Sequence, residues 1–327
     1  MWYCACSVMG QTAPSQEPNC SLCNSSGLRL YFEKGRYKFY TCPQCGHCRV
    51  FPYPSPEETK AHYEQGFTES YLAQNAAWFE VLAKKRLQIV ENYFGPGFRG
   101  SILDVGSGYG FFLREAKNAG WTVLGIESSP AEVDYSTKHL CLDVLNDDIQ
   151  TAMSTLADSS FDVISFFHVL EHLEEPGQAI LEARRVLKPG GLLILNSPNL
   201  DSAVFRILGS RWSWIYVPGH LQYFRVIPLS RWLQRNQLTL HLMETWTDAP
   251  NIYFMLEEAV LLTLADLFEW MVLPQKFGRR IKGFVYGPFH QQVVQDRLRK
   301  LYRLTPYLDR YIKSRSLGHE FLLLVSK

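Results

Sequence analysis

Residues 101–130 read SILDVGSGYGFFLREAKNAGWTVLGIESSP. Ser101 to Val105 is a short apolar run, and Gly106-Ser107-Gly108-Tyr109-Gly110 is a glycine-rich turn. Phe111 to Ala119 has helical content, and Thr122 to Ile126 is a second apolar run that ends in Glu127. Strand, tight turn, helix and strand in that order make a βαβ unit, and such units build a doubly wound parallel sheet. The alternation continues. Phe161 to Phe167 is an apolar strand, Pro176 to Leu187 a helix ended by Lys188-Pro189-Gly190-Gly191, and Leu192 to Asn196 a fifth strand. Leu238 to Thr245 and Glu320 to Ser326 supply a sixth and a seventh strand. The fold class is α/β, a Rossmann-like seven-stranded doubly wound sheet.

Two details say what the turn accepts. Its glycines are spaced Gly-x-Gly-x-Gly, whereas the dinucleotide fingerprint is Gly-x-Gly-x-x-Gly. An acid, Asp104, stands in the strand before the turn, where it would repel a pyrophosphate and tolerate an ammonium. Both favour S-adenosylmethionine over a nicotinamide dinucleotide. The segments LDVGSGYG (103–110), GIESS (125–129), LCLDVL (140–145), FDVISFFHVLEHLEEP (161–176) and LKPGGLLILNSPN (187–199) together resemble the class I S-adenosylmethionine-dependent methyltransferases. The resemblance covers roughly residues 100–250 and the final strand. It implies that Asp104, Gly106, Ser107, Gly108 and Gly110 line the methionine end of the donor. It also implies that Glu127 holds the ribose hydroxyls beside Ser128, and that Asp143 and Val144 contact the adenine. For Asp143 a helix cap or surface acid is the alternative.

Ahead of this domain lie CSLC (Cys20, Cys23) and CPQC (Cys42, Cys45), separated by 18 residues. Two Cys-x2-Cys knuckles at this separation match a four-thiolate zinc site. Leu28 to Phe32 and Arg36 to Thr41 form a hairpin between them, turning at Glu33-Lys34-Gly35. So short a span buries too little apolar surface to fold unaided, and a structural Zn2+ supplies the missing stability. Reduced cysteines lining a core are the alternative. Cys48 offers a rival knuckle with Cys45, but its place in the apolar run Cys48-Arg49-Val50-Phe51 predicts burial. The expected organisation is a flexible 1–19, a zinc-ribbon-like module over 20–56, a helical segment over 57–97 and a catalytic domain over 98–327. The domain carries a helical, basic insertion at about 250–317.

Methyl transfer from a sulfonium is a direct displacement and often needs a base for the acceptor's proton. Ligands of doubly wound sheets sit beyond the carboxyl ends of the strands. His168 follows the fourth strand and should face the donor, with Glu171 and His172 on the same edge. These three either take part in chemistry or only shape the pocket. The stretch GHLQYF (219–224) resembles one in methyltransferases of ubiquinone-type and sugar pathways, in which such a histidine lies on the acceptor side. That resemblance makes His220 the first candidate for general base and Tyr223 a neighbouring hydrogen-bond candidate. Trp212, Trp214 and Tyr216 form an aromatic wall for a ring or lipid, or else ordinary core. The cysteine module with its Pro52, Pro54, Pro56 exit resembles bacterial methyltransferases of surface-polysaccharide and antibiotic-sugar synthesis. A glycan, nucleotide-sugar or lipid-linked acceptor follows from that resemblance. The sugar C-methyltransferases usually carry a further C-terminal domain that 327 residues cannot hold in full, so the departure from them leaves O-transfer as the expectation.

Composition bounds the rest. The 327 residues are 46% hydrophobic and 20% charged, which excludes a largely disordered chain. The net charge of +1 excludes a nucleic-acid polycation. An RNA methyltransferase is the rival activity, but Arg29, Lys34, Arg36, Lys38 and Arg49 against Glu33 is modest for phosphate tracking. A donor-binding scaffold without turnover is the non-enzymatic rival. Residues 274–315 hold eleven Lys/Arg against Asp296 and Asp309, interleaved with aromatics. That segment suits an anionic membrane surface or packs on the acidic remainder. The opening MWYCACSVMG has no basic residue, and the apolar stretch 252–273 carries four acids, so neither a signal peptide nor a membrane span is expected. The expected location is cytoplasmic, peripheral on the inner face of the membrane if the basic segment binds there.

Overall fold

The computed structural model of the chain describes residues 19–55, 57–59, 69–246, 316 and 318–327. The expected flexible start and the basic insertion lie outside the described residues.

Three short strands, β1 (Arg29–Lys34), β2 (Tyr37–Thr41) and β3 (Cys48–Phe51), form an antiparallel ribbon. A long helix α1 (Glu69–Phe94) then ends at Gly95, whose left-handed φ of 86° lets its N–H return to the Glu91 carbonyl. The α/β domain follows as β4 (Ser101–Val105), α2 (Phe111–Asn118), β5 (Thr122–Glu127), α3 (Pro130–Leu140), β6 (Val144–Asn146), α4 (Ile149–Thr155), β7 (Phe161–Phe167), α5 (Pro176–Val186) and β8 (Leu187–Pro198). After it come α6 (Ala203–Leu208), β9 (Gln222–Tyr223), α7 (Val226–Arg235), β10 (Thr239–Trp246) and β11 (Glu320–Ser326).

The large sheet runs β10-β11-β8-β7-β4-β5-β6. Strands β4 to β8 pair in parallel, and β11 lies antiparallel between β8 and β10. Period-2 alternation divides the core between its faces. Leu103, Val105, Ile164, Phe166, Leu193 and Leu195 pack with α5 and α7. Ile102, Val163, Leu192 and Ile194 pack with α1 and α2 on the other face.

One sequence expectation needs correction. Lys188-Pro189-Gly190-Gly191 does not stand between helix and strand. Strand β8 starts at Leu187, which pairs with Phe161, whereas Val163 pairs with Leu192. The four residues therefore bulge out of register, which is how a strand carries a proline and two glycines. The cysteine hairpin packs directly on the α/β domain. Its sheet has a fourth strand, β9, supplied from within the α/β domain. Cys20, Leu22, Leu28, Cys42 and Cys45 share one core with the parallel sheet.

Candidate functional site

The turn after β4 is built as the sequence implies. Gly106, Gly108 and Gly110 have φ of 69°, 54° and 78°. A Cβ on Gly106 would stand 2.5 Å from Val169 Cγ2, and one on Gly110 2.5 Å from Leu142 Cδ1. Both positions thus need glycine for conformation and for space. Asp104 is buried at the end of β4 and accepts a hydrogen bond from Ser165 Oγ at 2.6 Å. Burial pushes its carboxyl up to about 7, against the pull of that bond and of Arg86. At the end of β5, Glu127 accepts from the N–H groups of Gly108 and Ser129, both at 2.9 Å. The turn therefore presents bare backbone with a carboxylate at each end. Ser107 Oγ adds a buried hydroxyl with no hydrogen-bond partner among the described residues. This cradle fits a donor with an ammonium at one end and a diol at the other. Ser128 and Asp143 are exposed, and Val144, half-buried, opens β6 beside β5. We expect Gly106→Ala to lower the melting temperature and to abolish calorimetrically detected binding of S-adenosylhomocysteine. The left-handed backbone alone costs about 1 kcal/mol for alanine, and the clash with Val169 adds to it.

Beyond the carboxyl end of β7 lies an open cavity of about 360 Å3, lined by His168, Glu171, His172, Ser213, Trp214, Tyr216 and His220. His168 has a left-handed φ of 60°, which aims its ring between two acids. Its Nδ1 is 3.2 Å from Glu171 and its Nε2 3.3 Å from Glu320. Burial works against the charge, but the Glu320 and Glu171 carboxylates outweigh it and push His168 up to about 9. Burial also opposes ionisation of Glu171, and the His168 hydrogen bond and charge hold it down to about 2. Glu171 accepts a further bond from Ser197 Oγ at 2.8 Å. A charged His168 stabilises the fold fully below its unfolded pKa of about 6.5. That contribution is lost as pH rises through about 9. We expect Glu320→Gln to move the His168 NMR titration midpoint down from about 9. An unchanged midpoint would show that the pair is not the cause.

The two other histidines come from opposite walls. His172 Nδ1 donates to the Gly219 carbonyl at 2.7 Å, and His220 Nδ1 donates to the Trp214 carbonyl at 3.0 Å. With Nδ1 as the donor, the lone pair of the neutral His220 ring lies on Nε2. The two ring centres are 5.0 Å apart. Burial, with the neighbouring His172, lowers the His220 pKa to about 4. Glu171, His172 and His220 each offer a ligand atom within 4.8 Å of the others, a set that could also hold a cation.

Of the aromatic residues, Trp214 and Tyr216 reach the cavity. Trp212 is fully buried and stacks behind Trp214 at 6.2 Å. Tyr223 does not line the cavity. Its hydroxyl donates to the His220 carbonyl and accepts from the Tyr216 N–H, tying the loop to itself. The structure thus brings His168, Glu171, His172 and His220 together and leaves Tyr223 behind them.

The four thiols also converge. Cys20 and Cys45 Sγ are 3.5 Å apart, Cys23 and Cys42 Sγ 3.6 Å, and all four lie within 4.8 Å of one another. Tetrahedral Zn–S bonds of about 2.3 Å separate sulfurs by about 3.8 Å, so the set fits a zinc ion. The hydrogen bond from Cys45 pulls the Cys20 thiol well below its ordinary range. Cys48 is buried in β3 and stands outside the cluster.

Four residues of the site were not singled out by the sequence. Arg86 crosses from α1 to lie 4.0 Å over the Phe167 ring, where its charge acts on Asp104 and Glu320. Glu132 is buried beside Gly108, and burial with the neighbouring Glu127 pushes it up to about 8. Glu320 arrives from β11, and Gln222 from β9. Arg86 and Glu320 come from elements remote in sequence from the motifs they serve, whereas Glu132 follows Glu127 by five residues and Gln222 lies within GHLQYF.

Residues 71–242 match the methyltransferase domain family. A ubiquinone biosynthesis O-methyltransferase of Alkalilimnicola ehrlichii is 32% identical over 176 residues, covering 50% of this chain and 71% of that protein. The mitochondrial ubiquinone biosynthesis O-methyltransferase of Schizosaccharomyces pombe is 26% identical, covering 60% of this chain and 62% of that protein. The solved structure of an S-adenosylmethionine-dependent methyltransferase from Archaeoglobus fulgidus aligns with 80% of this chain and 100% of its own at a TM-score of 0.47 and 17% identity. The chain belongs to the methyltransferase domain family and is an S-adenosylmethionine-dependent methyltransferase.

Proposed function

We propose O-methylation of a hydroxyl on a ring-bearing, lipid-linked acceptor. The observation that carries it is the cavity at the end of β7, where Trp214 and Tyr216 face Glu171, His172 and His220. An aromatic wall takes a ring face, and a neutral histidine takes a hydroxyl proton. The names of the ubiquinone biosynthesis relatives support both the transfer to oxygen and the acceptor class. A glycan or nucleotide-sugar hydroxyl is the second reading, favoured by the cysteine module ahead of the domain.

When bound, the donor supplies an electrophilic methyl group on a sulfonium, open to direct displacement by the acceptor oxygen. The protein's part is to align and to move one proton. Gly106, Gly108 and Gly110 seat the donor, with Asp104 and Glu127 at its two ends. His220 Nε2 takes the acceptor's proton. Its Nδ1 is held by Trp214, so the ring is already the base tautomer. Burial makes it a weak base alone, and the Glu171 carboxylate stabilises the imidazolium as it forms. Protonated His168 sits across Glu171 and fixes that carboxylate. Cys20, Cys23, Cys42 and Cys45 hold a structural zinc ion, since four thiolates leave no open coordination position.

No helix among the described residues is long and apolar enough to cross a membrane. A lipid-linked acceptor would bring the chain to a membrane surface through the basic segment 274–315. The test is a labelled-methyl assay against quinone-precursor, glycolipid, nucleotide-sugar and RNA fractions. Label is expected in the quinone-precursor or glycolipid fraction as a base-stable ether. Label in nucleotide-sugar selects the second reading, and label in RNA removes both.

A further inference from the structure

The cysteine hairpin and the acceptor cavity meet in one buried side chain. Gln222 is 1% exposed and lies two residues after His220. Its Oε1 accepts from Ser21 Oγ at 2.8 Å and faces His47 Nε2 at 2.8 Å. Ser21 lies inside the first cysteine knuckle, and His47 follows the second by two residues. His47 is deeply buried, and because an amide oxygen only accepts, its Nε2 is the donor of that pair. Gln222 Nε2 points the other way. It donates to the carbonyls of Leu173 at 2.8 Å and Glu174 at 3.1 Å and to the Tyr53 hydroxyl at 2.9 Å. The Tyr53 hydroxyl in turn donates to the Glu174 carbonyl at 2.9 Å. A primary amide alone offers two lone pairs at one end and two N–H groups at the other.

The cavity's two walls are laced at three points. Leu221 N–H donates to the Glu171 carbonyl at 2.7 Å, His172 Nδ1 donates to the Gly219 carbonyl at 2.7 Å, and Gln222 donates to Leu173. Of these side chains, Gln222 continues onto the cysteine side. The hairpin is pressed against that junction. A Cβ on Gly177, at the start of α5, would stand 2.5 Å from the Leu22 carbonyl. Strand β9 is also paired with β3 at Cys48↔Tyr223 and Arg49↔Gln222.

We propose that Gln222 is a positioning residue through which the cysteine hairpin sets the geometry of His172 and His220. Its hydrogen bonds go to the backbone of the 173–174 segment and to the cysteine side, and it acts through the backbone on either side. On this view the hairpin is part of the acceptor site and not an appended module. The inference rests on reading that cavity as the place of methyl transfer.

Two variants divide the amide. Gln222→Glu keeps an acceptor for Ser21 and His47 but loses the donors to Leu173, Glu174 and Tyr53. Ser21→Ala removes one bond on the cysteine side and touches nothing in the cavity. Histidines labelled at 13Cε1 report position by NMR, in the free chain and with S-adenosylhomocysteine bound. In Gln222→Glu the His172 and His220 signals are expected to move while exposed His139 stays. By-product Kd should change less than about twofold, and acceptor kcat/KM should fall about 10- to 100-fold, as expected for misplacement approaching 1 Å. Ser21→Ala should move the same two signals by a smaller amount. If Ser21→Ala leaves both signals in place, the coupling is overturned, even if Gln222→Glu fails to fold. Wild-type chain that binds no S-adenosylhomocysteine would instead overturn the methyl-transfer reading, and the free-chain spectra would still decide the coupling.

Discussion

His220→Ala is expected to lower kcat by about 10²- to 10⁴-fold, the usual contribution of a positioned base. The Kd for S-adenosylhomocysteine should stay near wild type, because His220 lines the cavity beyond β7 and not the glycine turn. Burial and the neighbouring His172 lower the His220 pKa to about 4, so the base form prevails at neutral pH. With the donor saturating, so that Asp104 is already engaged, wild-type kcat/KM for the acceptor should therefore hold steady on the acid side down to about pH 5 and fall as pH drops through about 4. That acid limb should be missing from the residual activity of the variant. Full turnover in His220→Ala would remove the base assignment and leave the ring as a tie between Trp214 and the loop. Glu171 sets a companion expectation. Glu171→Gln keeps the shape but takes away the carboxylate that stabilises imidazolium, so its loss should fall mainly on kcat.

The second large effect is expected at the thiols. Cys42→Ser should abolish stoichiometric zinc, measured by elemental analysis of purified chain. The melting temperature should fall by several degrees, because metal binding to such a site is folding free energy. The consequences should spread beyond the hairpin. Cys20, Cys42 and Cys45 share a core with Leu103, Val105 and Ile164 of the large sheet. Strand β3 is also the partner of β9, which carries Gln222 and Tyr223. Loss of the ion should thus loosen the β9 segment as well, visible as faster amide exchange over 219–224. A variant that keeps one zinc per chain and the wild-type melt would show that the thiols are ordinary core residues.

Most of the candidate donor turn's geometry was legible from residues 101–130 alone. Glycine spacing, an acid before the turn and an acid after the next strand are local features. Strand, turn and helix therefore place them without help from the rest of the chain. The two Cys-x2-Cys knuckles were legible for the same reason, since each sets its own pair of sulfurs. The four residues Lys188 to Gly191 were misplaced because proline and glycine mark a break in pattern but do not show whether a strand resumes in register. That is decided by the neighbour β7, through the Phe161↔Leu187 and Val163↔Leu192 pairs.

What the sequence determined alone was the class of fold, the glycine turn and the cysteine spacing, all carried by local pattern along the chain. The tertiary structure decided the acceptor side. Only folding brings Arg86 from α1, Glu320 from β11 and Gln222 from β9 to the ends of β4 and β7. It also separates Tyr223, turned into its own loop, from His220, turned to the cavity. Side chains two or a hundred residues apart become partners or strangers through sheet order and burial, and no spacing in the sequence encodes those.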